Sequence, residues 1–389
     1  MKNARLETLL TEFETRYGRR AEVGARAPGR VDLMGSHTDY NEGYVLTLPI
    51  DRDIWIVAAP NSDTAIRVRS LNMDGEAEFS AADPLQGMTP GWDAYVRGVV
   101  HVLRDSGRDV GGFDAVIHGT VPIGSGLSSS ASLECATAVL LAELGGFEID
   151  RVETARLCQR AENEVVGVNC GILDQYTSML GEEDRALVLD CRHLTHEQAG
   201  IPDGLGVVIC DTRAPRQLTG SEYGERRAQC EQGAEILSKL VPGARTLRDF
   251  SVAAFDAGQE RLETTVRKRC RFIVEENQRV LDLAAALRAD DREALSGTTA
   301  ASFAGARDLF EISVPAMEAM FEAMRSAPGV SGARQAGAGF GGCMVAFVAS
   351  GMVEAFCESV SRAYEEKTGI APELYPVRPV AGANPMGVA

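Results

Sequence analysis

The segment PIGSGLSSSAS, from Pro122 to Ser132, constrains this chain more than any other stretch. It concentrates glycines and hydroxyl side chains in a loop and runs directly into the apolar helical pattern LECATAVLLAEL, Leu133 to Leu144, which ends at Gly145. A small-residue loop that opens a helix leaves unpaired backbone N–H groups at the positive end of the helix dipole. The segment therefore predicts a phosphate site made of main chain. It is not a Walker A loop, because no Gly-Lys-Ser/Thr sequence follows.

A second glycine-rich stretch, GAGFGGC from Gly337 to Cys343, has the glycine spacing of a dinucleotide-binding fingerprint. That fingerprint requires a helix after the glycines, whereas the following CMVAFVA is typical of a strand. A dinucleotide-binding oxidoreductase is therefore a distant alternative. The glycines are better explained by close approach of the backbone beside a nucleotide loop.

Further motifs occur along the chain in a consistent order. They are APGRVDLMGSHTDYNEGY (Ala27–Tyr44), WDAYVRGV (Trp92–Val99), CGILDQ (Cys170–Gln175), LVLDCR (Leu187–Arg192) and SEYGERRAQCE (Ser221–Glu231). Together with the two glycine-rich stretches, they resemble the signature motifs of the GHMP kinase superfamily, and in detail those of the galactokinase family. The resemblance covers nearly the whole chain. It implies a two-domain α/β (α+β) GHMP kinase fold with a ribosomal-protein-S5-like N-terminal domain, a ferredoxin-like C-terminal domain and the active site in the cleft between them.

Length, charge and cysteine usage agree with such an enzyme. The 389 residues suit two domains, and we place the boundary before the buried-strand pattern GLGVVICDT, giving domains 1–203 and 204–389. A net charge of −17 makes nucleic acid and anionic membranes poor partners. The nine cysteines lack a C-x-x-C pair, which favours reduced thiols and a cytoplasmic location. The expected partner is a small sugar, and the oligomeric state is open between monomer and dimer.

Hydrophobic periodicity and residue propensities predict a mixture of helices and strands. The predicted helices cover residues 5–17, 92–104 and 151–165, with a short one after Gly171. The predicted strands cover residues 44–50, 53–60, 113–119, 204–212, 331–336 and 343–349.

The resemblance also implies which residues transfer the phosphoryl group. ATP would bind along the small-residue loop and the stretch GAGFGGC, at Gly124, Ser125, Gly126, Leu127, Ser128, Ser129, Ser130 and Gly339. Magnesium, which prefers hard oxygen ligands, would be held by Ser130 and Glu162. Asp174 would be the catalytic carboxylate that accepts the proton of the sugar's anomeric hydroxyl. Arg30 beside it would keep Asp174 ionised and stabilise developing charge. Whether Asp174 acts as a base or as an orienting group is open.

Taken singly, these residues have ordinary structural explanations. Ser130 could cap a helix, Glu162 could lie on a solvated helix face, and Asp174 could favour a helix N-terminus. Tyr223 could be a core aromatic residue. The order of the motifs is what favours the functional interpretation.

The sugar-binding residues implied by the resemblance include one clear departure from the family. The implied set is Ser36, His37, Asp39, Gly171, Asp174 and Tyr223. Galactokinases usually have a glutamate at the position of Ser36, and that glutamate binds the C6 hydroxyl of the sugar. Gln217, Phe303 and Ala338 are further departures. The phosphoryl-transfer residues match the family, whereas the sugar-binding set departs from it at Ser36.

These observations predict an ATP-dependent sugar 1-kinase that converts D-galactose to α-D-galactose 1-phosphate. The first alternative is a 1-kinase for a sugar altered at C6, such as galacturonate, L-arabinose or fucose. The second is a non-catalytic sensor of sugar and ATP, which the presence of Ser130, Ala131 and Asp174 disfavours.

Overall fold

The computed structural model describes residues 4–214 and 221–388, so that Gln217 lies outside the described residues. Its α-helices are α1 (Ala4–Tyr17), α2 (Asp93–Asp105), α3 (Ser129–Gly145), α4 (Arg151–Arg160), α5 (Leu173–Leu180), α6 (Ser221–Ser238), α7 (Val252–Gly258), α8 (Thr264–Ala289), α9 (Arg292–Gly305), α10 (Pro315–Arg325) and α11 (Val353–Thr368). Its strands are β1 (Val23–Met34), β2 (Tyr44–Pro60), β3 (Ala65–Ser70), β4 (Glu76–Ser80), β5 (Phe113–Gly119), β6 (Arg185–Asp190), β7 (Thr195–Gly200), β8 (Leu205–Asp211), β9 (Val330–Gln335), β10 (Cys343–Ala349), β11 (Glu373–Val377) and β12 (Asn384–Met386).

The predicted elements occur with two differences. The stretches 44–50 and 53–60 form the single strand β2, because backbone pairing continues through the polar residues between them. The predicted helix 151–165 is α-helical only to Arg160 and continues as a π-helical turn, Ala161–Val166. Such turns occur frequently at functional sites.

The chain folds into two compact units, and unit 1 comprises Met1–Arg30, Pro49–Glu183 and Val380–Ala389. Its strands follow the order β12-β1-β2-β5-β3-β4, in which β3 and β5 are parallel and β2 and β5 are antiparallel. Helix α1 packs Leu9 and Phe13 against Val57 and Val116 of this sheet. Helix α3 has no polar face and is buried among α2, α4 and α5.

Unit 2 comprises Val31–Leu48 and Asp184–Pro379. Its antiparallel sheet has the order β11-β8-β10-β9, and the chain connects the strands as β8, helices, β9, β10, α11 and β11. This is the βαββαβ arrangement of ferredoxin-like domains, as predicted for the C-terminal part of the chain. Met320 of α10 and Phe356 of α11 pack against Val208 and Ala346 of the sheet. A second core of this unit lies between α6 and α8.

Each compact unit contains residues from both sides of the predicted boundary between residues 203 and 204. Both β1 and β2 begin in one unit and end in the other, since the divisions fall after Arg30 and after Leu48. The division into domains 1–203 and 204–389 stays a prediction. Within residues 4–214 and 221–388, none of the helices is both long enough and apolar enough to cross a bilayer.

Candidate active site

The loop before α3 has the backbone geometry that its glycines predict. Gly124 and Gly126 adopt positive φ values of 76° and 87°, a region that glycine enters without steric cost. Ser128 also adopts a left-handed conformation, with φ 62° and ψ 49°, and it is the residue that precedes the helix. Left-handed geometry is uncommon for a residue with a Cβ and is found at functional sites. The N–H groups of Ser129 and Ser130 lie in the first turn of α3, where they need partners outside the helix.

Asp174 lies in the first turn of α5 and is held at both carboxylate oxygens. Arg30 donates to Oδ1 from Nε at 2.8 Å and from Nη2 at 2.5 Å. Ser128 donates its hydroxyl to Oδ2 at 2.5 Å. The arginine and serine therefore fix the orientation of a carboxylate that keeps one lone-pair site, on Oδ2, for a further donor.

Arg30 also connects Asp174 to the loop. Its Nη1 donates to the Gly126 carbonyl at 2.7 Å, and its backbone N–H donates to the Leu127 carbonyl at 3.2 Å. Gly29 makes this approach possible, because a Cβ at that position would lie 2.7 Å from the Leu127 oxygen. Arg30, Asp174 and the loop thus belong to one hydrogen-bonded assembly within unit 1.

We expect Ser128→Ala to lower kcat about tenfold, because it removes one of the hydrogen bonds that orient Asp174. A hydrogen bond to a charged group is worth about 1.5–3 kcal/mol, and water can replace part of that stabilisation. The measurement is steady-state kinetics at saturating substrates. Ser128→Gly is the matched control, since it also removes the hydroxyl but relieves the left-handed backbone. Equal losses of kcat in both variants would assign the effect to the missing hydroxyl. Full activity in Ser128→Gly would contradict a role of the hydroxyl in orienting Asp174.

Glu162 belongs to a second, buried cluster of unit 1. It lies in the π-helical turn and is 5% exposed. Gln175 Nε2 donates to Glu162 Oε2 at 2.6 Å and to Glu134 Oε2 at 2.9 Å, and the Cys170 thiol donates to the same Glu162 oxygen at 3.2 Å. Burial raises the pKa of Glu162, and the charge of Asp174 raises it further, against hydrogen bonds from Cys170, Gln175 and Ser130. Burial raises the pKa of Glu134 in the same way.

Glu134 and Gln175 are members of this cluster that sequence reasoning missed. The available signal for Glu134 was a carboxylate inside the otherwise apolar run LECATAVLLAEL, since a fully buried Glu is rare unless it is partnered. Gln175 directly follows Asp174 and could have been suspected from that position alone.

His37 lies in unit 2, as do the predicted residues Ser36, Asp39, Tyr223 and Gly339. His37 Nε2 lies 2.9 Å from the Ala338 carbonyl, and Nδ1 lies 3.0 Å from the Tyr40 hydroxyl. Burial lowers the pKa of His37 to about 4, so the ring is neutral near pH 7. Because a carbonyl only accepts, these bonds assign the proton to Nε2 and leave Nδ1 to accept from Tyr40. The ring also contacts Tyr223, with centroids 5.2 Å apart.

The neutral state of His37 predicts a pH dependence of stability. Between pH 4 and about 6.5, the unfolded chain binds a proton at His37 that the folded protein does not. The free energy of unfolding should therefore rise with pH through this window, by at most about 1.4 kcal/mol per pH unit from this residue. We expect His37→Gln to flatten the slope of the urea midpoint between pH 4.5 and 6.5. Identical slopes in both proteins would contradict the assignment.

The remaining predicted residues lie as follows. Asp39 begins a short 3₁₀ turn, Asp39–Asn41, and is half-buried, as are Tyr223 and Gly171. Gly171 lies just before α5 in unit 1. Gly339 has a φ of 81°, and a Cβ there would lie 2.7 Å from the Ile312 oxygen, so this position requires glycine.

Ser36 is buried, with 2% of its surface exposed. It donates to Asp32 Oδ2 at 3.2 Å and accepts from Arg334 Nη2 at 2.8 Å. Sequence reasoning missed both partners. Asp32 was visible within the motif GRVDLMGSHTDYN, whereas nothing near Arg334 in sequence indicated its burial.

Comparison with known proteins identifies the family. Residues 94–182 match GHMP kinases N terminal domain, residues 283–366 match GHMP kinases C terminal, and residues 11–60 match Galactokinase galactose-binding signature. A galactokinase of Roseiflexus sp. (strain RS-1) is 40% identical over 376 residues, which are 97% of this chain and 96% of the relative.

Solved structures agree with this match. The crystal structure of Lactococcus lactis galactokinase complexed with galactose has a TM-score of 0.93 and 34% identity, covering 98% of this chain and 99% of that one. Methanococcus jannaschii mevalonate kinase has the same fold at a TM-score of 0.65 and 17% identity, covering 92% of this chain and 98% of that one. The predicted two-domain GHMP kinase fold is thereby confirmed, and this chain belongs to the galactokinase family of GHMP kinases.

Proposed function

We propose that this protein is a galactokinase that transfers a phosphoryl group from ATP to the anomeric hydroxyl of D-galactose, giving α-D-galactose 1-phosphate. The observation that carries the proposal is the orientation of Asp174 by Arg30 and Ser128, in a chain that matches galactokinases along nearly its whole length. The Lactococcus lactis relative was crystallised with galactose, which supports that sugar as the substrate.

Asp174 is the proposed catalytic residue. An anomeric hydroxyl becomes an effective nucleophile as its proton is removed, and a carboxylate with a free lone pair can accept that proton. Arg30 balances the charge of Asp174 and is available to stabilise negative charge that develops during transfer. The loop Gly124–Ser130 and Gly339 are the proposed ATP-binding residues, with backbone N–H groups as phosphate donors.

Ser130 and Glu162 are the proposed magnesium ligands, and their surroundings fit a divalent cation. Both provide hard oxygen atoms, and Ser130 is near enough to Glu162 to lower the pKa of that carboxyl. Burial disfavours the charged form of Glu162, and a bound cation would offset that cost by supplying the opposite charge. When bound, the ion would neutralise phosphate charge. Glu162 is itself oriented by hydrogen bonds from Gln175 and Cys170.

Ser36, His37, Asp39, Gly171 and Tyr223 are the proposed sugar-binding residues. The neutral His37 is fixed by Ala338 and Tyr40 and contacts the Tyr223 ring, so its orientation is set before the sugar binds. The cleft between domains and the cytoplasmic location stay proposals, the latter in keeping with the odd number of cysteines.

A sugar that is altered at C6 is the second candidate substrate. The observation that favours it is Ser36, whose hydroxyl is already bonded to Asp32 and Arg334. A hydroxyl that already makes these two hydrogen bonds binds a C6 hydroxyl less strongly than a free carboxylate would.

The test is ADP release with D-galactose, D-galacturonate, L-arabinose, D-fucose and glucosamine, with ³¹P NMR to identify the phosphorylated position. We expect the highest kcat/KM for D-galactose and a 1-phosphate product. A higher kcat/KM for one of the other sugars would replace galactose as the substrate, and absence of turnover with every sugar would favour a non-catalytic sensor.

A further inference from the structure

Three buried residues of unit 2 form a continuous polar chain. Asp32 and Ser36 are each 2% exposed and Arg334 is fully buried. The Ser36 hydroxyl donates to Asp32 and accepts from Arg334 Nη2, while Arg334 Nη1 lies 3.7 Å from Asp32 Oδ1, beyond hydrogen-bond distance. Ser36 is therefore the bridge between a buried carboxylate and a buried guanidinium group.

The charges around this bridge are balanced. Arg334 Nη2 also contacts Glu276 Oε1 at 3.1 Å, and Arg279 Nη1 contacts Glu276 Oε2 at 3.0 Å. Asp32 and Glu276 thus face two arginines. An uncompensated charge at this depth is strongly destabilising. The two arginines can therefore compensate the charge of one carboxylate from the segment that contains Asp32 and Ser36, in addition to Glu276.

Asp32 also reaches the second glycine-rich stretch, GAGFGGC. Its Oδ2 accepts from the Gly337 N–H at 3.3 Å, next to the Ala338 carbonyl that accepts from His37. The residue that engages Ser36 is thus attached to the backbone that orients the proposed sugar-binding histidine.

We propose that Asp32 is a specificity-determining residue that acts through Ser36. Asp32 provides the carboxylate that its own segment places beside Arg334, which also pairs with Glu276. It engages the Ser36 hydroxyl so that position 36 offers the sugar no free donor. A carboxylate at position 36 is compatible with this cluster only when Asp32 is neutral. This inference rests on the proposed sugar-binding role of Ser36.

The consequence is a reciprocal dependence between two substitutions. Ser36→Glu alone places a second carboxylate beside Asp32, and Asp32→Asn alone leaves positive charge in excess. The double variant restores the charge, and its glutamate has an N–H to accept from, because Arg334 Nη1 has no hydrogen-bond acceptor among the residues that the structure describes.

The experiment is a double-mutant cycle on the full chain, with wild type, Asp32→Asn, Ser36→Glu and the double variant. Melting temperature and kcat/KM for D-galactose and for D-fucose, which is 6-deoxy-D-galactose, are measured for each. We expect Ser36→Glu to lower the melting temperature by at least about 5 °C and kcat/KM for galactose at least about tenfold. Adding Asp32→Asn should recover most of both losses.

The ratio of kcat/KM for the two sugars tests specificity, because a merely structural role of Asp32 would leave that ratio unchanged. We expect the ratio of kcat/KM for galactose over 6-deoxygalactose to rise about tenfold or more in the double variant, because a carboxylate that bonds to a hydroxyl rejects the analogue that lacks it. Glu275→Gln is the matched control, since Glu275 lies beside Glu276 on α8, contacts Arg271 and Arg279, and is outside the proposed machinery. Combined with Ser36→Glu, it should rescue nothing.

Independent, additive effects of Asp32→Asn and Ser36→Glu would overturn the proposal, as would a double variant that is no better folded than Ser36→Glu. An unchanged sugar ratio in a well-folded double variant would also overturn it. The melting temperatures do not depend on which sugar the enzyme phosphorylates. Failure of the wild-type protein to phosphorylate galactose would therefore refute the proposed function. The coupling between positions 32 and 36 could still be measured from the melting temperatures.

Discussion

Asp174→Asn should lower kcat by about two orders of magnitude or more, the usual effect of removing a positioned acid–base group. The variant should keep the local geometry. Its amide oxygen can accept from Arg30, and its NH₂ group can donate to Ser128, whose hydroxyl is able to accept instead of donate. The change therefore removes the proton acceptor and the negative charge while leaving the side chain's volume.

Two measurements separate lost chemistry from lost structure in this variant. The melting temperature should stay close to that of the wild type, and galactose binding measured by calorimetry without nucleotide should weaken far less than turnover. A kcat within a few-fold of the wild type would reject Asp174 as the key carboxylate. A loss of galactose binding as large as the loss of kcat would make it a binding group instead.

Glu162→Ala should raise the magnesium concentration needed for half-maximal turnover by about tenfold or more. Loss of an outer-shell partner of a metal typically costs about 10–100-fold in affinity, so the loss of a direct ligand should cost at least the lower value. Ser130→Ala should act in the same direction with a smaller effect, because it removes a neutral oxygen rather than a charged one.

The control for this prediction is Glu164→Gln, because Glu164 is in the same π-helical turn but is exposed and paired with Arg160. Magnesium-dependent binding of a non-hydrolysable ATP analogue provides a readout independent of turnover. Wild-type magnesium dependence in Glu162→Ala would remove Glu162 from the proposed ligand set, and the same result for Ser130→Ala would remove Ser130.

Local sequence signals anticipated the features that depend on short stretches of backbone. The glycines and serines from Gly124 to Ser130 predicted a loop that opens a helix, and α3 begins at Ser129 as this pattern requires. The strand after GAGFGGC, now β10, likewise followed from its run of apolar residues. The pairing of Arg30 with Asp174 followed from the motifs and their known relatives, because no periodicity connects residues that lie 144 positions apart.

Other features were beyond sequence reasoning because distant residues create them. The polar residues near Asp51 suggested a break, yet β2 continues through them. The glutamine that bridges Glu134 and Glu162 lies 41 and 13 positions away from them, so its role depends on how α3, α5 and the π-helical turn pack together.

By itself, the sequence determined the family, the α/β class, the glycine- and serine-rich loop before α3 and the candidate catalytic residues, because each follows from contiguous motifs whose residue types and order are specific. Only the tertiary structure decided the state of Ser36. Its hydroxyl is bonded to Asp32, four residues away, and to Arg334, 298 residues away. The free energy of a buried charge depends on every group packed around it, and those groups come together only when the chain folds.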